Sequence, residues 1–336
     1  MEFKLALKEN EERFMDDAHC SVLEFPTVDL GGLVEAGPAS ESWRAAQQKV
    51  ARALVNYGGF EAIFDDVGSQ LKEELMGRVV PEVMKNEANI SRFEPVRSNV
   101  WFFRQDLALK TMHISNPGRL SNEQHEDKVV FFHEDDSFRN VIYNYEKQMQ
   151  ELVKLIHRMI LMSLDMEEYY ESHIKSVDYF MKLTEYFNDT SIDKTKIGMP
   201  PHKDVNYVNI ICQHEVDGLE IKTSEGEWIR IATMPNSFTV LLGEASMAWT
   251  NGIFKAPKHR VKIEHLKKRY SVIFGSLPSS KCGTIKPLDK FLDNNHSLLY
   301  KSFNYHDYIK FCVANGGNFV NDLKSYLKME EAKSTA

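Results

Sequence analysis

The pattern His-x-Asp occurs three times in this chain, at His125/Asp127, His133/Asp135 and His202/Asp204. In an extended strand, residues i and i+2 share a face, so an imidazole and a carboxylate at that spacing can grip one metal ion. Context separates the copies. The first two lie in a charged segment, Glu123 to Asp136, that leads into a long helix and reads as a solvated run. The third follows a loop ending in Gly198-Met199-Pro200-Pro201 and precedes an alternating run, Val205 to Cys212. Well downstream, Lys258-His259-Arg260-Val261 falls in another strand-like stretch. His202, Asp204 and His259 together form a 2-His-1-carboxylate set. Such a triad suits non-heme Fe(II), because it leaves one face of the octahedron open for substrate and oxygen.

Arg269-Tyr270-Ser271 comes soon after His259 and opens a further strand. Period 2 puts Arg269 and Ser271 on one face. The arginine offers a planar fork to a carboxylate, and the serine adds a hydroxyl. Arg-x-Ser also occurs at Arg119/Ser121, but that copy lies upstream of the complete His-x-Asp…His set.

These side chains need strands to hold them. Strand-like runs separated by turns cover Tyr179–Tyr186, Val205–Cys212, Leu219–Thr223, Trp228–Ile231, Phe238–Leu242, Val261–Glu264 and Tyr270–Leu277. Many short strands at close spacing predict an antiparallel sandwich or barrel. Helices are expected in front, at Glu41–Tyr57, at Val67–Met84 with Pro81 as a break, at Phe138–Leu164 and at Glu167–Ile174. Short strands are expected at Phe25–Leu30 and Phe60–Phe64, and helix returns over Asn304–Met329. Arg92–Asn122 reads as irregular, rich in aromatics and turn formers.

The chain has 336 residues and a formal charge of −8, which disfavours a nucleic-acid partner. A local basic patch is possible at Lys255 to Lys268. Cys20, Cys212, Cys282 and Cys312 form no CxxC pair, so neither a disulfide framework nor a thiolate zinc site is expected. No apolar run approaches the ~20 residues that span a bilayer. The expectation is a cytoplasmic monomer with a small-molecule substrate and no membrane partner.

With these residues in place, the sequence resembles the plant-type Fe(II)/2-oxoglutarate-dependent dioxygenases over nearly its whole length. In detail it is most similar to the glucosinolate-modifying branch. The matching phrases are His202-Lys203-Asp204, Val216-Asp217-Gly218-Leu219-Glu220-Ile221, Trp228-Ile229-Arg230, Asn236-Ser237-Phe238, Asn251-Gly252, His259-Arg260-Val261 and Arg269-Tyr270-Ser271. The resemblance implies an α+β fold: a double-stranded β-helix, or jelly roll, flanked by N-terminal and C-terminal helices. The domain reading is one catalytic unit over 1–336. It comprises a strand–helix region at 20–175, a jelly-roll core with both sites at 176–280, and C-terminal helices at 285–330.

The resemblance also implies the chemistry. Fe(II) would sit on His202, Asp204 and His259, with 2-oxoglutarate as cosubstrate and O2 as oxidant. The distal carboxylate of 2-oxoglutarate would meet Arg269, with Ser271 and Tyr186 hydrogen-bonding. Tyr186 stands in Thr184-Glu185-Tyr186-Phe187, where the family usually has Asn-x-Tyr-Pro; the tyrosine is kept, the asparagine and proline are not. The expected outcome is hydroxylation, desaturation or oxidative ring closure of a small hydrophobic plant specialised metabolite, releasing succinate and CO2. Phe132, Lys182, Gly275 and Leu277 are candidate substrate-pocket residues, with Gly275 expected to leave open volume near the metal and Trp101-Phe102-Phe103 a candidate lid. Three alternatives stay open: a zinc enzyme that activates water, an inactive jelly-roll binding protein, and a hormone oxidase of the same family.

Overall fold

The computed structural model describes residues 24–85, 100–104, 109–115, 136–187, 196–263, 267–288, 298–315 and 322–334. Twelve strands form its two main sheets. In chain order they are β1 (Thr27–Asp29), β2 (Gly59–Ile63), β3 (Val100–Arg104), β4 (Leu109–Ser115), β5 (Val177–Tyr186), β6 (Lys196–His202), β7 (Val208–Gln213), β8 (Leu219–Lys222), β9 (Trp228–Arg230), β10 (Ser237–Leu242), β11 (His259–Ile263) and β12 (Arg269–Pro278). The larger sheet has eight strands in the order β1-β2-β10-β7-β12-β5-β4-β3, and the smaller has four in the order β6-β11-β8-β9.

Period 2 along the strands sorts side chains between the two faces of the large sheet. One face carries Met181, Leu183, Val208, Ile210, Cys212, Val272 and Phe274. It packs with the apolar stripe of helix Asp136–Ser163, including Tyr145, Met149, Leu152, Ile156 and Met159. Full burial of each such side chain contributes about 1.5–3 kcal/mol, so this layer is the main source of stability. The opposite face meets the small sheet through two smaller clusters. One joins Ile211 and Leu241 to Leu219 and Ile221. The other joins Leu109 and Tyr186 to Val261 and Ile263. The candidate functional residues lie in the gap between the two sheets.

The expected strands and the long helix are present with small shifts of boundary. Helix Glu41–Asn56 begins at Ser40, whose hydroxyl accepts the Trp43 amide at 3.2 Å. Three expectations are corrected. The loop before His202 is strand β6, extended through Pro200-Pro201 because it sits at the edge of the small sheet, where a missing N–H is tolerated. The region expected to be irregular contains β3 and β4, which pair antiparallel and extend the large sheet beyond β5. Trp101, Phe102 and Phe103 therefore belong to an edge strand. Pro81 does not break its helix: a widened π-helical stretch, Glu74–Val79, precedes it and the chain continues as helix Val80–Lys85. A short helix, Glu244–Trp249, was not anticipated, because its six residues are buried throughout and show no polar face. Among the described residues, no helix is long and apolar enough to cross a membrane.

Candidate active site

Register builds the floor of the site. On the inter-sheet face, Arg269 stands opposite Tyr186, Ser271 opposite Thr184, Ile273 opposite Lys182, and Gly275 opposite Phe180. On the other side of β12, Ser271 faces Gln213, Ile273 faces Ile211 and Gly275 faces Asn209. Strand β4 adds Leu109, Thr111, His113 and Ser115 beside Tyr186, Thr184, Lys182 and Phe180. Strands β4, β5 and β12, with their neighbour β7, thus present a graded surface. The cation and phenol lie at one end, and the small and amide residues at the other.

His202 and His259 face this floor from the small sheet, where they are direct partners across β6 and β11. Their rings are 4.3 Å apart between centroids. His202 Nδ1 lies 2.8 Å from the Pro200 carbonyl and His259 Nδ1 lies 3.3 Å from the Pro257 carbonyl. A carbonyl can only accept, so each Nδ1 carries the proton and each Nε2 presents its lone pair. Asp204 lies just past the end of β6. Its Oδ1 is 3.6 Å from His202 Nε2 and its Oδ2 is 3.5 Å from His259 Nε2. The loop holding Asp204 is pinned by helix Glu244–Trp249, whose Glu244 and Ala245 amides donate to the Asp204 and Val205 carbonyls at 2.7 and 3.2 Å.

The ligand-type atoms of His202, Asp204 and His259 all fall within 4.8 Å of one another, and this is the one such group of three among the described residues. Burial would raise the Asp204 carboxyl, but the facing His259 and His202 outweigh it and hold it below the usual carboxylate range. Burial pushes the His259 imidazole down to about 4, against the pull of Asp204. A neutral imidazole and an ionised carboxylate are the protonation states a cation needs. His125, Asp127, His133, Asp135 and Phe132 lie outside the described residues.

Arg269 is buried to 1% exposure, and among the described residues no carboxylate pairs with it. One terminal nitrogen donates to Gln213 Oε1 at 2.9 Å, the other to Ser271 Oγ at 3.4 Å, and its Nε has no hydrogen-bond partner among the described residues. Its guanidinium carbon lies 4.8 Å from the centre of the Tyr186 ring. Burial lowers its pKa, and Tyr186 opposes that shift. An uncompensated buried cation is costly unless an anion completes it. Gln213 was missed in the sequence. It also accepts the Leu219 amide at 3.1 Å and donates to the Ile231 carbonyl at 3.1 Å, so it fixes the arginine from a rigid position. The available signal was a pair of polar residues, Asn209 and Gln213, on the inward face of an otherwise apolar strand.

The pocket calls fare unevenly. Lys182 is half-buried on the floor, its Nζ 5.2 Å from the centre of the Phe180 ring. Gly275 does not leave open volume: a Cβ there would lie 2.4 Å from Phe180 Cζ and 2.5 Å from Asn209 Oδ1, so those side chains already occupy the space. Leu277 is half-buried and packs on the main core cluster.

The comparisons with known proteins agree with this geometry. Residues 168–278 match the model of the 2OG-Fe(II) oxygenase superfamily. That span contains β5 to β12 and with them every residue of the floor except those from β4. Over that strand-rich core the chain resembles this superfamily. A probable 2-oxoglutarate-dependent dioxygenase of Arabidopsis thaliana, AOP1.2, is 28% identical over 305 residues, covering 88% of this chain and 92% of that protein. The structure of a rice dioxygenase for auxin oxidation superposes with a TM-score of 0.72 at 19% identity, covering 90% of this chain and 99% of the other. An Arabidopsis thaliana dioxygenase for auxin oxidation, solved as a 2-oxoglutarate binary complex, gives 0.68 at 19% identity, covering 81% and 99%. This oxygenase is an oxidoreductase that uses Fe(II) and 2-oxoglutarate. The donor set and the uncompensated Arg269 fit those groups.

Proposed function

We propose that the chain is a plant dioxygenase that oxidises a small hydrophobic specialised metabolite, by hydroxylation, desaturation or oxidative ring closure. In this reading the two sheets form a jelly roll, His202, Asp204 and His259 hold Fe(II), and Arg269, Ser271 and Tyr186 hold 2-oxoglutarate. The observation that carries it is the pairing of one buried two-histidine, one-carboxylate group with a buried arginine for which the described residues supply no anion, on facing sheets.

When bound, iron and 2-oxoglutarate supply oxidative decarboxylation to succinate and CO2 together with the oxidant that attacks an aliphatic C–H. The residues supply placement. Both imidazoles keep their Nδ1 protons on backbone carbonyls, so their Nε2 atoms converge with the Asp204 carboxylate without adding charge. Arg269 neutralises the far end of the cosubstrate, with Gln213 and Ser271 fixing the plane of its fork. Lys182 lies between these two centres, opposite His113 and Ile273. It gives an otherwise apolar substrate one cationic anchor for a polar or acidic substituent. Its pKa is lowered by burial, with Asp204 opposing the shift.

Anaerobic titration with Fe(II) and 2-oxoglutarate tests the assignment. A weak visible charge-transfer band that needs both additions is the expected result. A protein that binds zinc instead and shows no band with Fe(II) and 2-oxoglutarate has another function.

A further inference from the structure

Asn209 and Asn206 form a buried amide pair beside Asp204, at 3% and 4% exposure. The two side chains bond reciprocally: Asn206 Nδ2 donates to Asn209 Oδ1 at 2.9 Å, and Asn209 Nδ2 donates to Asn206 Oδ1 at 3.0 Å. Asn209 Nδ2 also donates to Asp204 Oδ2 at 2.5 Å. Asn206 Nδ2 further donates to the backbone carbonyls of Ser276 and Val208, each at 3.1 Å.

The direction of this chain is fixed by what each member can do. Backbone carbonyls only accept, so the NH2 group of Asn206 must face Ser276 and Val208. Its oxygen then takes the remaining side and accepts from Asn209. That turns the NH2 group of Asn209 toward Asp204, which as a carboxylate also only accepts. Reversing either amide would set donor against donor or oxygen against oxygen.

Gly275 completes the seat. It is the register partner of Asn209, and a Cβ at that position would come within 2.5 Å of Asn209 Oδ1. The glycine on β12 thus makes room for the amide that grips the carboxylate.

We propose that Asn209 is a positioning residue for the metal centre: it orients the Asp204 carboxylate, with Asn206 setting its direction and Gly275 admitting it. The proposal rests on the assignment of His202, Asp204 and His259 as the metal ligands. A neutral amide suits the task, because it adds a hydrogen bond to the carboxylate without adding a charge beside the ion. Loss of a group that orients a metal ligand typically lowers metal affinity by about 10–100-fold.

The test is anaerobic titration of the metal-free full-length protein with Mn(II), following free Mn(II) by electron paramagnetic resonance. Wild type, Asn209→Ala, Asn209→Thr, Gly275→Ala and His259→Ala are compared, each with its thermal midpoint in the metal-free state. Asn209→Ala should weaken Mn(II) binding by about 10–100-fold. Gly275→Ala should weaken it in the same direction, although it removes no polar atom. Asn209→Thr should recover part of the loss, since its hydroxyl can still donate. His259→Ala should bind far more weakly than any of these. If His259→Ala loses Mn(II) but Asn209→Ala binds it as wild type does, the positioning role falls and the metal assignment stands. If Asn209→Thr binds no better than Asn209→Ala, the donated hydrogen bond is not the cause and the proposal also falls. If His259→Ala binds as wild type does, the metal assignment itself fails.

Discussion

Arg269 and Tyr186 stand directly opposite each other on adjacent strands, and the guanidinium carbon lies 4.8 Å from the centre of the phenol ring. The ring provides a flat, electron-rich partner for the cation. It cannot neutralise it, so the arginine stays available for an anion. A charge-assisted contact is worth about 1.5–3 kcal/mol, and leaving a buried charge unpaired costs about 3–5 kcal/mol. Arg269→Ala should therefore raise the 2-oxoglutarate requirement by about two orders of magnitude or more. Arg269→Lys should recover only part, since it offers a point charge in place of a fork. Metal affinity should stay near wild type in both. Succinate release against 2-oxoglutarate concentration, beside metal content, is the measurement; an unchanged requirement in Arg269→Ala would remove the cosubstrate assignment.

A second prediction concerns acid stability. His157 and His173 are buried behind the large sheet, with His173 Nε2 3.0 Å from His157 Nδ1 and His157 Nε2 3.0 Å from Ser276 Oγ. His173 also stacks on Trp249 at 4.3 Å. Burial pushes His173 from the ordinary 6.5 down to about 4, and burial with the neighbouring His173 pushes His157 well below its ordinary value. The folded protein keeps both neutral, while the unfolded chain takes up protons below about pH 6.5. Stability is therefore full above that pH and falls as the pH drops toward 4. For His173 alone the loss is about 3 kcal/mol across the window. Urea midpoints measured from pH 7 to 4 should show this acid limb, and His173→Gln should flatten it. An identical slope in the variant would assign the acid loss to other groups.

Much of this arrangement was legible in the residues. His202, Asp204, His259, Arg269 and Ser271 announce themselves because metal and carboxylate chemistry restricts the side chains that can serve. Strands β5, β10 and β12 were placed to within two residues at each end, while β7 begins three residues later than expected. What escaped was set by tertiary contact. Strand β6 hides behind Pro200-Pro201, residues that argue against a strand unless the edge position is known. Gly275 read as open space because a sequence shows the missing Cβ but not the Phe180 ring and the Asn209 amide that fill it. Gln213 and Asn209 carried a readable hint, as polar residues in an apolar strand, but their partners lie across β-strand pairings and turns that the sequence does not spell out.

A third prediction separates the substrate from the cosubstrate. Lys182 sits half-buried beside Phe180, and among the described residues no carboxylate lies within ion-pair distance of it. Lys182→Met keeps most of the stem and removes the charge. If the lysine anchors a polar or acidic group of the substrate, KM for that substrate should rise about tenfold or more, the equivalent of ~1.4 kcal/mol or more. The 2-oxoglutarate requirement should barely move. Steady-state kinetics with a turned-over substrate and with an analogue lacking its polar group decide the matter: the analogue should be insensitive to the substitution, and equal losses for both compounds would deny the anchor.

The last prediction uses a close approach on strand β6. A Cβ at Gly198 would lie 2.7 Å from Ile263 Cδ1 and 2.8 Å from Tyr186 Cδ1. The isoleucine end can swing aside by a rotamer change, but the tyrosine ring is rigid and wedged beneath Arg269. Gly198→Ala should therefore push Tyr186 along the floor and disturb the cosubstrate end of the site. His202 lies on the same strand but pairs with His259 beyond the contact, so the metal ligands should be less affected. The expected pattern is a several-fold rise in the 2-oxoglutarate requirement with metal affinity near wild type. Gly198→Ala combined with Ile263→Val tests the cause, because the smaller neighbour leaves room for β6 to shift and carry the new methyl away from the ring. Partial recovery of the 2-oxoglutarate requirement in the double variant is expected. A single variant that loses metal before it loses 2-oxoglutarate would show instead that β6 moves as a unit and that the tyrosine is not the element displaced.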